Sequence, residues 1–255
     1  MQDSSAETSP ISVPQDHVEV NPHFAVSRTE AKRILASCAA APFKLTRPLF
    51  IISGYHSPKI TILPIASTFR TSTLNPELTH MVSSPLAMSL ESATTRACVA
   101  IQKHAAGHRD IDIIGHSMGG VIARMILGIS GMPHVCRLFT LATPHRGAII
   151  APFAPIDRAA KQLKCNSEFL NQLNARPTPP GTEVVCYARL YDWWVGAQNC
   201  APPGQGTFWL DADTFVSRLL GHFTITRDQR IHADIIQRMR GESPLATIAT
   251  HPPRQ

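Results

Sequence analysis

The chain is poor in the features that would mark a metal centre, a dinucleotide fold or a membrane span. Its 255 residues hold no HExxH pair, no Asp-rich calcium loop and no GxGxxG after an apolar run, so no cofactor or metal is expected. The six cysteines, Cys38, Cys98, Cys136, Cys165, Cys186 and Cys200, are nowhere spaced CxxC, which argues against a zinc knuckle or a thioredoxin-type motif. Cys98, Cys136 and Cys186 sit inside apolar runs as small core residues, whereas Cys165 and Cys200 fall in expected loops and a disulfide between them is left open. No window approaches the roughly 18 consecutive apolar residues of a transmembrane helix. Only 16% of residues are charged, and although the net charge is +6, the Lys and Arg are scattered singly or in pairs, as in "EAKR" and "QRMR". Without a basic block or interleaved aromatics, nucleic acid is excluded as an expected partner. Residues 1–22 lack a basic start followed by an apolar stretch, so no secretory leader is visible and a cytoplasmic location is the expectation. "LASC" at Leu35–Cys38 has the form of a lipid-attachment cleavage box, but Lys32 and Arg33 leave no room for the apolar segment such a signal needs.

What is present is a core and an alternation. Hydrophobic residues make up 44% of the chain, enough for one sizeable core. Residues 1–25 are polar and Pro-containing, and read as a flexible arm. Ser27-Arg28-Thr29-Glu30 is a capping box, followed at helical spacing by Ala31, Ile34, Leu35 and Cys38. "PLFIISG" (48–54) reads as a buried strand, 58–71 as helix and 79–84 as strand. From Ser89 the alternation sharpens. A helix ends near Gly107, with Leu90, Ala93, Ala97, Ala100 and Ile101 on one side; "DIDIIG" is a strand and "MGGVIARMILG" a helix. "VCRLFTLATP" and "EVVCYARL" are strands, and "RDQRIHADIIQRMR" is a helix with Ile231, Ile235, Ile236 and Met239 inward. Apolar strands alternating with helices predict a mostly parallel sheet covered on both faces, one α/β domain over 26–240. Residues 148–180 interrupt it with two short helical runs and "ARPTPPG", an insertion placed where a cap or lid would sit, and the tail 241–255 reads as loose.

Within that frame, "IDIIGHSMGG" (111–120) carries chemistry. A serine hydroxyl attacks a carbonyl only when a base takes its proton and donors stabilise the oxyanion. A sharp strand-to-helix turn meets both needs: the side chain protrudes, and the next backbone N–H, that of Met118, points at the developing charge from a helix N-terminus. The turn crowds its neighbours, which explains Gly115 and Gly119 two residues either side of Ser117.

"GHSMGG" followed by "TLATPHRGA" (140–148) resembles the lipase and carboxylesterase branch of the α/β-hydrolase fold, and "LKCNSEFLNQLN" is similar to a segment of some members. The resemblance covers about residues 48–240. It implies a catalytic triad in the order Ser, acid, His. Asp192, directly after "VVCYARLY", matches the acid-bearing turn, with Asp211 and Asp213 in "LDAD" as rivals; His222 in "LLGHFTITRDQRI" matches the Gly-His pattern of the base. His116 is expected to support the turn, His145 to be structural and His232 to lie on the surface of the last helix. The resemblance also points to the backbone N–H of Tyr55 as second oxyanion donor. Here the chain departs from pattern, with Ser53-Gly54 where the family has His-Gly. Trp193, Trp194 and Trp209 either line an acyl pocket or belong to the core. The expected function is a serine esterase or lipase acting on lipid or small-molecule esters, with peripheral contact at a lipid interface left open. A thioesterase or acyltransferase using the same residues, or a non-catalytic binding protein of the same fold, are the alternatives.

Overall fold

The computed structural model describes residues 20–83, 89–153, 157–211, 214 and 218–253. Six strands, β1 (Leu49–Ile52), β2 (Thr79–Val82), β3 (Asp110–His116), β4 (His134–Leu141), β5 (Glu183–Arg189) and β6 (Phe208–Leu210), form one sheet in the order β2-β1-β3-β4-β5-β6. Every pairing is parallel. Because side chains alternate across a strand, Phe50 and Ile52 enter one core while Leu49 and Ile51 enter the other.

The helices close both faces. On one side α3 (Leu90–His104) and α4 (Met118–Ile126) bury Ala93, Ala97, Ile101, Val121 and Ile122, and α6 (Glu168–Ala175) adds Leu170 and Leu173. On the other, α1 (Arg28–Ala40), α2 (Leu63–Ser72) and α8 (Gln229–Arg240) bury Cys38, Ile65, Phe69, Ile231 and Ile235. Two shorter helices, α5 (Arg158–Gln162) and α7 (Gly221–Thr224), complete the labelled set. The capping box works as the residue types predict: the Ser27 hydroxyl accepts from the Glu30 N–H, opening α1.

Parallel sheets place ligand sites beyond the carboxyl ends of their strands, at the point where strand order reverses. Here the chain leaves β1 for the edge at β2, then crosses back to β3. The reversal therefore falls between β1 and β3, beside Gly54 and Ser117.

Three sequence expectations change. His232 is buried, its Nε2–H donating to the Thr226 carbonyl at 2.9 Å and its Nδ1 3.0 Å from the Thr68 hydroxyl, because α8 is packed against both α1 and α2 and has little free surface. Residues 1–19 of the expected arm lie outside the described residues, and its last part is packed rather than loose: Asn21 and Phe24 are buried, and the Asn21 amide donates to the Trp209 carbonyl. The tail is anchored, with Thr250 bridged to Thr207 and Ala246 buried. All six cysteines are free thiols, Cys165 exposed and Cys200 buried. No helix among the described residues is long and apolar enough to cross a membrane.

Candidate active site

β3 ends at His116 and α4 starts at Met118, which leaves Ser117 to make the whole turn, at φ 53° and ψ −127°. A non-glycine residue held there costs on the order of 1–3 kcal/mol and persists only when its surroundings impose it. They do. The Ser117 N–H donates to the Leu141 carbonyl at 2.9 Å, and the Gly120 N–H donates to the Ser117 carbonyl at 3.0 Å. A Cβ on Gly115 would stand 2.4 Å from the Gly120 Cα, and one on Gly119 would stand 2.2 Å from the Ile52 carbonyl oxygen. Strand, helix and neighbouring strand touch backbone to backbone. The Met118 N–H lies in the first turn of α4, where backbone donors have no partner within the helix.

His222, in α7 between β6 and α8, approaches from the far side. Its Nε2 is 2.9 Å from the Ser117 Oγ, and its Nδ1 is 2.9 Å from the Asp192 Oδ2. With Nδ1–H donating to the carboxylate, Nε2 is left as acceptor for the serine hydroxyl. Asp192 follows β5, and its other oxygen, Oδ1, accepts from the N–H groups of Trp194 and Val195, each at 3.0 Å. Burial alone would raise this carboxyl, but the His222 ring and the two amides outweigh it and hold it below its ordinary range. The rival Asp211 follows β6 instead, its carbonyl oxygen facing the Arg189 and Arg230 guanidinium groups. Asp213 lies outside the described residues.

Two further histidines stand close by. His116 donates from Nε2 to the His222 carbonyl at 2.8 Å, and burial followed by the His222 ring lowers its pKa to about 3, so it is a neutral prop for the base. His145 is fully buried against Thr140, 3.1 Å away, and is likewise kept neutral by burial and by Arg124. Arg124 of α4 also donates to the Asn174 side chain at 2.7 Å, tying the elbow helix to α6 of the insertion.

Sequence reasoning missed two supports. Arg189, buried at the end of β5, pairs with Asp228 at the start of α8, and its stem lies under Gly221, where a Cβ would meet the Arg189 Cδ at 3.2 Å. The second is Asp157 in the insertion. Its Oδ2 accepts from the Tyr55 hydroxyl and lies 3.1 Å from the His56 Nε2, while its Oδ1 caps α5 through the Ala160 N–H at 2.7 Å. The insertion thus grips the loop after β1. That loop is also braced internally, Ser53 Oγ donating to the Ser57 carbonyl at 2.9 Å. It passes so close to the serine that a Cβ on Gly54 would be 2.9 Å from the Ser117 Cβ.

Above Ser117 opens a cavity of about 680 Å³, lined by Tyr55, Pro144, Ile150, Leu163, Trp194 and Phe223 among others. Trp194 stacks on His222, ring centroids 5.8 Å apart at 13°, and Trp209 is buried in the core. The tryptophans therefore divide between the two readings, with Trp193 61% exposed beside the site. The arrangement can deprotonate a serine, hold the resulting imidazolium against a carboxylate, and seat an apolar group next to it.

The chain has the α/β-hydrolase fold. A family model described as a PGAP1-like alpha/beta domain matches residues 65–173. Over 68 residues the chain is 40% identical to mouse (Mus musculus) GPI inositol-deacylase, a match covering 26% of this chain and 7% of that protein, so the chain spans only a small part of its length. Among solved structures it is similar to mature Bacillus licheniformis lipase BlEst2, with a TM-score of 0.57 at 14% identity, covering 78% of this chain and 94% of that one. Aspergillus fumigatus lipase B gives 0.55 at 13% identity, covering 94% and 64%. The metagenomic carboxyl esterase MGS0156 gives 0.58 at 11%, covering 78% and 77%.

Proposed function

We propose that the chain is a serine hydrolase of carboxylic esters with Ser117 as nucleophile, His222 as general base and acid, and Asp192 as the carboxylate that fixes the histidine. The observation that carries this is the unbroken line from Asp192 Oδ2 to His222 to Ser117 Oγ, with both contacts at 2.9 Å, opening into an apolar cavity. The Ser117 Oγ attacks the ester carbonyl carbon as His222 Nε2 takes its proton, and the carbonyl oxygen becomes an oxyanion facing the N–H groups of Met118 and Tyr55. Collapse breaks the C–O bond, and the imidazolium returns the proton to the departing alcohol. Water, deprotonated by His222, then attacks the acyl-enzyme, and the imidazolium returns that proton to the Ser117 Oγ as the acyl C–O bond breaks and the acid leaves. Asp192 stays ionised and stabilises the imidazolium.

The cavity selects for the acyl side. Ile150, Leu163, Trp194 and Phe223 offer an apolar chain surface and few hydrogen bonds, which favours aliphatic or lipid-like acyl groups. Removal of an acyl group from an inositol, which the mouse relative's name describes, is one reaction of this class. The insertion supplies Ile150, Ala151, Ala160 and Leu163 to the wall, the position of a cap over the acyl chain.

Rapid mixing with 4-nitrophenyl butyrate and palmitate tests the reading. An initial burst of nitrophenol matching the enzyme concentration, with the acyl mass added to the protein, is the expected result. Folded protein that gives neither burst nor turnover on either ester, with or without detergent, overturns it in favour of a binding protein.

A further inference from the structure

A second cavity, of about 340 Å³, lies at the outer edge of the sheet between β2, α2 and α3. Its wall carries Lys59, Arg70, Arg96, His80 and His104 and, among the described residues, no acidic one. Several arginines elsewhere are paired with carboxylates: Arg47 and Arg137 with Asp112, Arg189 and Arg230 with Asp228, Arg238 with Asp234 and Glu183, Arg158 with Glu91. Among the described residues Lys59 and Arg96 form no ion pair, and Arg70 donates to the Thr79 carbonyl at 3.1 Å.

His80 provides an independent sign. Its ring is sandwiched between Phe50, at 5.1 Å, and His104, at 4.7 Å, and its Nε2 is buried without a hydrogen-bond partner among the described residues. Burial, His104 and Arg70 all oppose its protonation. A scattered cation on a surface is adequately served by water. Three cations line one concavity that holds no carboxylate among its described residues, beside an imidazole with an orphaned nitrogen, and the repulsion among the cations is relieved when an anion joins them.

We infer that this cavity binds a phosphate group. Phosphate carries the charge to balance several cations at once and accepts from guanidinium, ammonium and imidazole N–H together. The volume exceeds what the group itself needs, leaving space for whatever it is attached to. The position suggests the use. Lys59 lies between Pro58 and Thr61, which line the ester cavity, so the two cavities flank one loop. A phosphate-bearing headgroup held here would present an attached acyl ester towards Ser117. The anion site stands on its own geometry; its use as a headgroup subsite rests on the ester-hydrolase reading.

The test titrates the full chain with inorganic phosphate against chloride at constant ionic strength, following the imidazole resonances of His80 and His104 by NMR. Saturable shifts at both rings are expected. Arg96→Gln with Lys59→Gln, checked for an unchanged melting temperature, should weaken the saturation about tenfold or more, the loss of charge-assisted hydrogen bonds. Absence of saturable shifts in the wild type, or equal shifts in the double variant, overturns the proposal. The same proteins are then given a short-chain phosphatidylinositol and an uncharged short-chain diacylglycerol. A selective loss of turnover on the anionic ester identifies a headgroup subsite, whereas phosphate binding with unchanged relative rates identifies a site for a free phosphorylated ligand. Turnover on neither ester, with phosphate binding intact, removes the hydrolase reading and leaves the anion site standing.

Discussion

Two turns leave adjacent strands at the same edge of the sheet, and they are held in opposite ways. The turn at Ser117 is locked by backbone against backbone: Gly115 on Gly120, Gly119 on the Ile52 carbonyl. The turn at Gly54–Ser57 is held largely by side chains, Ser53 to Ser57 within the loop and Asp157 to Tyr55 and His56 from a segment about a hundred positions away. The first geometry has little room to vary. The second is tied to the insertion through a single carboxylate, so the loop after β1 is the more adjustable of the two.

The comparison can be broken at the rigid turn first. Gly119→Val forces a side chain into the Ile52 carbonyl, which is 2.2 Å from even a Cβ. No rotamer relieves that, so the expected loss is more than about 4 kcal/mol, read from the urea midpoint or as failure to fold. A mild loss would mean that strand and helix can part. Asp192→Asn comes next. The fold should survive, because Asn can still accept from the Trp194 and Val195 amides, but turnover should drop about 10⁴-fold as the His222 tautomer is lost.

Asp157→Asn probes the adjustable turn. It keeps the shape but weakens the hold on Tyr55 and His56. Because the proposed Tyr55 donor would shift rather than disappear, kcat should fall about tenfold, less than the roughly 10²–10³ of a deleted donor. KM should hardly move, and the melting temperature should change little. Equal losses in kcat and stability would make Asp157 an ordinary cap of α5.

Acid separates the turns more gently. His116, beneath the elbow, and His232 are held neutral, with pKa values of about 3 and about 4 against an ordinary 6.5. Between those values the unfolded chain binds protons that the fold refuses, so the stability they contribute is present above about pH 6.5 and is lost as pH falls towards 4 and 3. The depressed carboxyl of Asp192 adds to the loss below about pH 4, since its contribution is present above the unfolded value. Urea unfolding from pH 7 to pH 4 should show a steady decline. A flat profile would mean that water reaches these rings.

The same contrast governs what could be read from sequence. The elbow is legible because its constraints are local: two glycines, a serine, an apolar strand before and an apolar helix after. Asp192 and His222 come from the resemblance, which matches them to an acid-bearing turn and a Gly-His pattern, and the fold brings both side chains into line with Ser117. Asp157 is not. An aspartate between "PFAPI" and "RAAKQ" reads only as a helix cap, and its second oxygen finds Tyr55 only once the chain has folded. Arg189 and Asp228 escape for the same reason, as their pairing joins the end of a strand to the start of a helix 39 positions on. His232 reads as a surface residue because helical period distinguishes one inward stripe from solvent, whereas α8 packs on two neighbours at once. Trp194 and Trp209 are not told apart by composition, since only the fold places one in β6 and the other on the His222 ring.

The central claim is that Ser117 is made nucleophilic by His222 in this turn. Treatment with a fluorophosphonate, followed by intact mass and peptide mapping, tests it most directly on wild type, Ser117→Ala and His222→Ala. The account predicts one adduct per chain, on Ser117, absent from Ser117→Ala and slowed by several orders of magnitude in His222→Ala. An adduct on another residue, or labelling of His222→Ala at the wild-type rate, would contradict it.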